Sequence, residues 1–186
     1  MGLNKKLYKG KLLISEPCIN NFFFNKSVIL LVNHNDKGSF GLIINKPTNV
    51  KLNKIIENFP GFDAKVYIGG PVSTNNLFIL HTLGDKIENS FEIIDGLYWG
   101  GNIKTIKNMI SNKQINSDEI HFYIGYSVWI EKQLDGEIKK KFWIITDSSL
   151  EQIFNDNPTE LWNNILKALG KDYAIWANAP DNPILN

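Results

Sequence analysis

Three histidines, His34, His81 and His121, are the groups in this 186-residue chain best suited to exchange protons or to hold a metal. None stands at the paired spacing of a ligand motif, and no cysteine or carboxylate sits at ligand spacing beside them, so no metal site is assigned. His34 and His81 each follow an apolar run, where an imidazole can bond to the backbone and hold a loop. Ser127, in Gly125-Tyr126-Ser127-Val128-Trp129, has the outline of a nucleophile elbow. An elbow needs glycine two residues after the serine, and Trp129 occupies that place. Gly69-Gly70-Pro71 offers backbone amides to an anion, but Pro71 has no N–H and no helix pattern follows at once. It reads as a tight connection between strands. No Walker or dinucleotide fingerprint is present, and no catalytic residue and no cofactor are assigned.

The elements that would position these residues follow from hydrophobic patterning. Lys11–Ser15, Ser27–Val32, Phe40–Ile44, Lys65–Ile68, Leu77–Leu80, Phe91–Ile94 and Phe142–Ile145 read as strands, the second continuous and β-branched enough to be buried on both faces. Ser27–Val32 and Phe40–Ile44 form a hairpin with a loop of several residues. Ile120–Ile124 alternates with His121 and Tyr123, as a half-exposed strand does. Helix stripes run through Leu52, Ile55, Ile56 and Phe59, through Ile103, Ile106 and Ile110, and through Ile130, Leu134 and Ile138. Ser148 with Glu151 fits a capping box. Asn157-Pro158-Thr159-Glu160 opens a helix whose buried stripe is Leu161, Ile165, Leu166 and Leu169, with Gly170 as its stop. Phe22-Phe23-Phe24 is expected to plug one end of the core.

Composition sets limits on function. A net charge of +1 gives no long-range attraction for nucleic acid or anionic lipid, and all 20 cationic side chains are lysine. The bidentate contacts of arginine to phosphate or guanine are therefore absent. Lys139-Lys140-Lys141 is the only basic cluster and reads as a solvated turn, so direct nucleic-acid binding is not expected. The single cysteine, Cys18, allows no internal disulfide. No signal-peptide core and no run of membrane-spanning length is present, which points to a cytoplasmic protein away from membranes. Without a linker or a composition shift, residues 1–186 read as one domain.

An ordered series of short pieces carries a resemblance. It comprises Gly10-Lys11-Leu12-Leu13-Ile14 with Pro17, Ser27-Val28, His34 with Gly38 and Gly41, and Asn45-Lys46-Pro47. It continues through Gly69-Gly70-Pro71-Val72, Phe78-Ile79-Leu80-His81, Gly125-Tyr126 with Trp129, Gln133-Leu134 with Glu137-Ile138, and Trp143, and the ending Asp181–Asn186 also fits. Together these resemble the YqgE/AlgH family of bacterial proteins, over nearly the whole chain. The chain departs from the family's pattern at Val128 and Lys132, where glycine is favoured, and at Asp135, where glutamate is usual. The resemblance implies a mixed α+β fold with a bifurcated, partly barrel-like sheet flanked by helices. Some relatives carry the label of transcriptional regulator, without an established mechanism.

Three functions are therefore expected in order: a non-enzymatic binding module for a protein or small-molecule partner, a regulator acting on DNA directly or indirectly, and a small-molecule enzyme with a site near His34, Asn45 and His81. The ligand-binding candidates are His34, Asn45, Gly69, Gly70, His81, Tyr126 and Trp129. In that reading the Gly69 and Gly70 amides donate, Asn45 orients and a histidine exchanges protons. The oligomeric state is not specified.

Overall fold

The computed structural model describes residues 6–17, 19 and 21–178, so Cys18 and the ending Asp181–Asn186 lie outside the described residues. Among the described residues nine strands form one mixed sheet. They are β1 (Leu12–Ser15), β2 (Val28–Asn35), β3 (Gly38–Ile43), β4 (Val66–Ile68), β5 (Val72–His81), β6 (Ser90–Ile94), β7 (Leu97–Gly100), β8 (Ile120–Ile130) and β9 (Trp143–Thr146). The helices are α1 (Ile103–Ser111), α2 (Gln133–Lys139), α3 (Leu150–Ile153), α4 (Leu161–Ala168) and α5 (Lys171–Ala174). The order is β6-β7-β5-β8-β3-β2-β1-β9, with β4 parallel to β8. The architecture is the expected α+β class. The sheet splits at β8 but is not closed into a barrel, since β6 and β9 remain its outer strands.

The split has a simple geometry. One edge of β8 pairs with β5. The other pairs first with β4, through Phe122–Ile124, and then with β3, through Ser127–Ile130. Gly69, just after β4, sits where the two partners part. Its N–H donates to the Ile124 carbonyl at 2.8 Å, and its carbonyl accepts from the Ile43 N–H at 2.9 Å. A Cβ on Gly69 would overlap the Gly125 carbonyl oxygen, and Gly125 itself holds φ +70 with no room for a side chain against Gly70.

Continuous apolar runs are explained by cover on both faces. Leu12, Ile14, Val28, Leu30 and Leu42 join one core with Leu161, Trp162, Ile165 and Leu166 of α4. Leu13, Ile29, Leu31 and Ile43 point the other way, into a core with Trp129, Leu134 and Trp143. A third core forms where α1 packs through Ile106 and Ile110 on Phe122, Ile79 and Ile120.

Several elements differ from expectation. The β2–β3 hairpin closes through two residues, Asp36 and Lys37, because Asn35 pairs directly with Gly38. The Leu52–Phe59 stripe yields only a single 3-10 turn at Leu52–Lys54; Asn58 takes φ +53 and Pro60 follows, so the segment cannot propagate a helix. Strand β7 was not anticipated, and Ile130 belongs to β8 rather than to α2. His121 and Tyr123 are buried, since both faces of β8 are covered. The capping box lies one residue later than expected: Gln152 N–H donates to Ser149 Oγ and Ser149 N–H to Gln152 Oε1. Phe22 is 80% exposed, and only Phe23 and Phe24 pack on the core.

Two glycines make opposite predictions. Gly69→Ala forces backbone against backbone, and a loss above about 3 kcal/mol is expected in denaturant titration. Gly136, inside α2, faces open space, so Gly136→Ala is expected to raise stability by roughly 0.5–1 kcal/mol.

Candidate functional site

The seven candidate residues fall in different places. His34 stands near the hairpin turn, with Nδ1 2.8 Å from Ser39 Oγ. It lines a cavity of about 300 Å³ with Asp36, Ser39, Ile130, Glu131 and Asp135. Asn45 lies at the opposite end of the same hairpin, where Oδ1 accepts from the Val28 N–H at 2.8 Å and Nδ2 donates to the Lys26 carbonyl at 2.9 Å. At about 3.3 Å per strand residue, the register places the two roughly 20 Å apart. His81 is at the far end of β5 and fully buried. The Leu83 N–H donates to its Nδ1 at 3.2 Å, which leaves Nε2–H to donate to Ser90 Oγ at 3.0 Å; that hydroxyl donates in turn to the Ile87 carbonyl. His34, Asn45 and His81 therefore do not converge on one cleft. The Gly69 amide is spent on the sheet. Tyr126 joins Phe40 and Phe78 in a half-buried aromatic cluster, its ring centroid 5.2 Å from that of Phe40 and 5.1 Å from that of Phe78.

Trp129 is different. It lies near the end of β8 and meets Trp143, the first residue of β9, edge to face at 6.0 Å. Between β8 and α2, Lys132 turns the chain in the left-handed region at φ +59. Gln133 then ties the two elements: its Oε1 accepts from the Ile130 N–H at 3.1 Å, and its Nε2 donates to Glu137 Oε1 at 2.9 Å. Glu137, one helical turn on, accepts at Oε2 from both indoles, Trp129 Nε1 at 2.8 Å and Trp143 Nε1 at 2.7 Å. The carboxylate is thus held by three neutral N–H donors. The ion pairs seen among the described residues do not include it.

Above this knot is a cleft of about 360 Å³, lined by Glu16, Phe24, Val128, Phe142, both tryptophans and Glu137. Phe24 meets Trp143 edge to face at 5.7 Å. Sequence reasoning named Trp129 as a candidate but missed Glu137 as the hub. The available signal was a glutamine and a glutamate at i and i+4 between two tryptophans.

A second group of titratable side chains is wholly interior. Tyr67 stacks on Tyr123 at 5.1 Å and lies 5.0 Å from His121, which in turn meets Phe154 at 4.7 Å. Tyr67 Oη, Tyr123 Oη and His121 Nδ1 have no hydrogen-bond partner among the described residues. Burial raises both phenols above their ordinary range. Burial lowers His81 to about 4, and burial followed by the nearby Lys65 charge lowers His121 to about 4. No group of described histidine, cysteine or acidic residues is arranged to hold a metal ion. No helix among the described residues is long and apolar enough to cross a membrane.

Comparison with known proteins adds the following. The family model described as AlgH-like matches residues 12–174. A UPF0301 protein of Cytophaga hutchinsonii is 41% identical over 181 residues, covering 97% of this chain and all of that one. A UPF0301 protein of Bacteroides fragilis is 41% identical over 179 residues, covering 96% of this chain and 91% of the relative. The solution structure of the AlgH protein from Pseudomonas aeruginosa superposes with a TM-score of 0.75 at 24% identity, over 97% of this chain and 98% of that one. A crystal structure of a Corynebacterium diphtheriae protein does so with a TM-score of 0.80 at 18% identity, over 96% and 95%. At these identities the two structures share the fold.

The buried imidazoles make stability pH-dependent. Both are neutral when folded, while the unfolded chain takes up protons below about pH 6.5. Their contribution is complete above that pH and is lost as pH falls toward 4, by up to about 3 kcal/mol for each histidine. Urea midpoints measured from pH 7 to pH 4 are expected to fall, and His81→Gln is expected to flatten the decline. Tyr67→Phe removes an unpartnered hydroxyl and is expected to change stability by less than about 1 kcal/mol.

Proposed function

This chain belongs to the AlgH-like family, and from that premise and the geometry above we propose that it is a cytoplasmic, non-enzymatic binding module whose recognition site is the cleft between β8, α2 and β9. The observation that carries this reading is the Trp129–Glu137–Trp143 knot. Two large aromatic side chains and a carboxylate are locked in one arrangement at the base of a cleft, with their rotamers fixed before a ligand arrives. Preorganisation of this kind lowers the entropic cost of binding. The volume is in the range of sites that receive a side chain or a small molecule.

The other two readings draw less support. An enzyme near His34, Asn45 and His81 needs those groups together, and the first two are roughly 20 Å apart along one hairpin. Its Asn45 and His81 side chains are already engaged in fixing loops. A regulator that grips DNA directly needs a broad basic face and phosphate contacts, whereas the charge here is balanced and free of arginine.

The test is ligand screening by nitrogen-15 NMR, following the indole N–H signals. A ligand of this protein is expected to shift Trp129 and Trp143 while leaving Trp162, buried in the opposite core, unmoved. Trp129→Phe is expected to weaken binding on the order of tenfold, in line with loss of an interface tryptophan, with the fold retained. Ligands that bind tightly yet leave both cleft indoles unshifted would overturn the assignment.

A further inference from the structure

Resting on that reading, we infer that the cleft recognises a basic side chain presented by a protein partner. Glu137 supplies the first argument. Its two oxygens accept from two indoles and one amide, all neutral, so its hydrogen-bonding capacity is largely met while its negative charge is not. A half-buried, uncompensated charge beside aromatic rings is complemented by a cation, through Coulomb attraction and through the ring faces.

The surroundings carry the same sign. Glu16 lines this cleft with Glu137, and no lysine does. On the other side of α2, the His34 cavity is lined by Asp36, Glu131 and Asp135 against Lys132 alone, and Lys132 is already paired with Glu131 at 2.8 Å. Lys139, the last residue of α2, and Lys140 and Lys141 after it are exposed and line neither cavity. The acidic excess is thus confined to the linings of the two cavities beside α2, and a cation is drawn there on a chain whose overall charge is nearly neutral.

The rim identifies the kind of partner. Val128 is 46% exposed and Phe142 40%, both at the edge of the cleft. A small free amine would leave this apolar rim in water. A peptide would seat its lysine head against Glu137 and Glu16 and lay its flanking apolar side chains on Val128 and Phe142.

The probe is the peptide acetyl-Ala-Leu-Lys-Leu-Ala-amide, compared with the same peptide carrying norleucine for lysine and with tetramethylammonium chloride. Indole shifts of Trp129 and Trp143 are followed on the intact labelled chain. The lysine peptide is expected to bind saturably and more weakly as salt is raised. Glu137→Gln is expected to weaken it on the order of tenfold. Glu16→Gln, which leaves the tryptophan knot intact, is expected to weaken it severalfold, and this covers the case in which the Glu137 variant does not fold. Equal binding of the norleucine peptide would overturn the cation assignment while leaving the cleft as the site. Tetramethylammonium binding as tightly as the lysine peptide would overturn the assignment to a protein partner. Shifts at neither indole with any of the three would overturn this inference, while a different ligand that did shift them would still support the cleft.

Discussion

Strand β8 has to serve three partners, and one of its edges passes from a parallel to an antiparallel neighbour within a few residues. At that point β4, β3 and β8 crowd one another so closely that their backbones meet where side chains would normally stand. Gly69, Gly70 and Gly125 are the means: a methyl group on any of them would strike main-chain atoms of the facing segment. The Gly69 peptide bonds to β8 on one side and to the residue ending β3 on the other, so it closes the fork. Everything beyond the fork inherits its position from this crossing. The outer half of β8 carries Tyr126 to the aromatic cluster and Trp129 to the cleft.

The polar residues of the interior act mostly as fasteners. Asn45 satisfies one backbone group of the turn before β2, the Lys26 carbonyl, and one at the first residue of β2, the Val28 N–H. His81, through Ser90, ties the end of β5 to the loop that precedes β6. Trp162 donates its indole N–H to the Ser15 carbonyl at 2.9 Å and so links α4 to the end of β1. Each of these groups saves a buried donor or acceptor from being left unpaired, which would cost on the order of 1–3 kcal/mol. Residue types that in other surroundings do chemistry are here consumed by architecture. Tyr67, Tyr123 and His121 are exceptions, with unpartnered polar atoms, and Glu137 is another, because hydrogen bonds meet its lone pairs without cancelling its charge.

Much of the fold was legible in the sequence, for identifiable reasons. Strands β1, β2, β3, β6 and β9 and helices α1 and α4 have patterns that survive any tertiary context: β-branched runs, a three-to-four residue stripe, and Gly170 as a stop. The misreadings have physical causes as well. The Leu52–Phe59 stripe places Leu52 and Phe59 in the core as a helix would, but burial was achieved by an irregular segment. Alternation in Ile120–Ile124 suggested one wet face, and tertiary cover buried both. For the site, the histidines drew attention by chemical type, although a histidine's role depends on what surrounds it. Trp129 was singled out, but the carboxylate that gives it meaning lies eight residues away and across a left-handed turn. Only folding brings its partner Trp143 to the same oxygen.

The position of the cleft follows from how unevenly the two faces of the sheet are covered. The aliphatic side chains of β1, β2 and β3 are enclosed on both faces, but by different cover: one face lies under α4, with the short α3 and α5 close by. On the opposite face the helical cover is α2, seven residues long with a glycine at its centre, supplemented by Phe23 and Phe24. So short a helix has almost no stability of its own. It must be held from outside, and the bonds from Gln133 to the end of β8 and from Glu137 to the two tryptophans do this. The contacts that retain the helix also fix the aromatic walls and the carboxylate beneath the opening. Thin cover and a rigid floor thus have one cause.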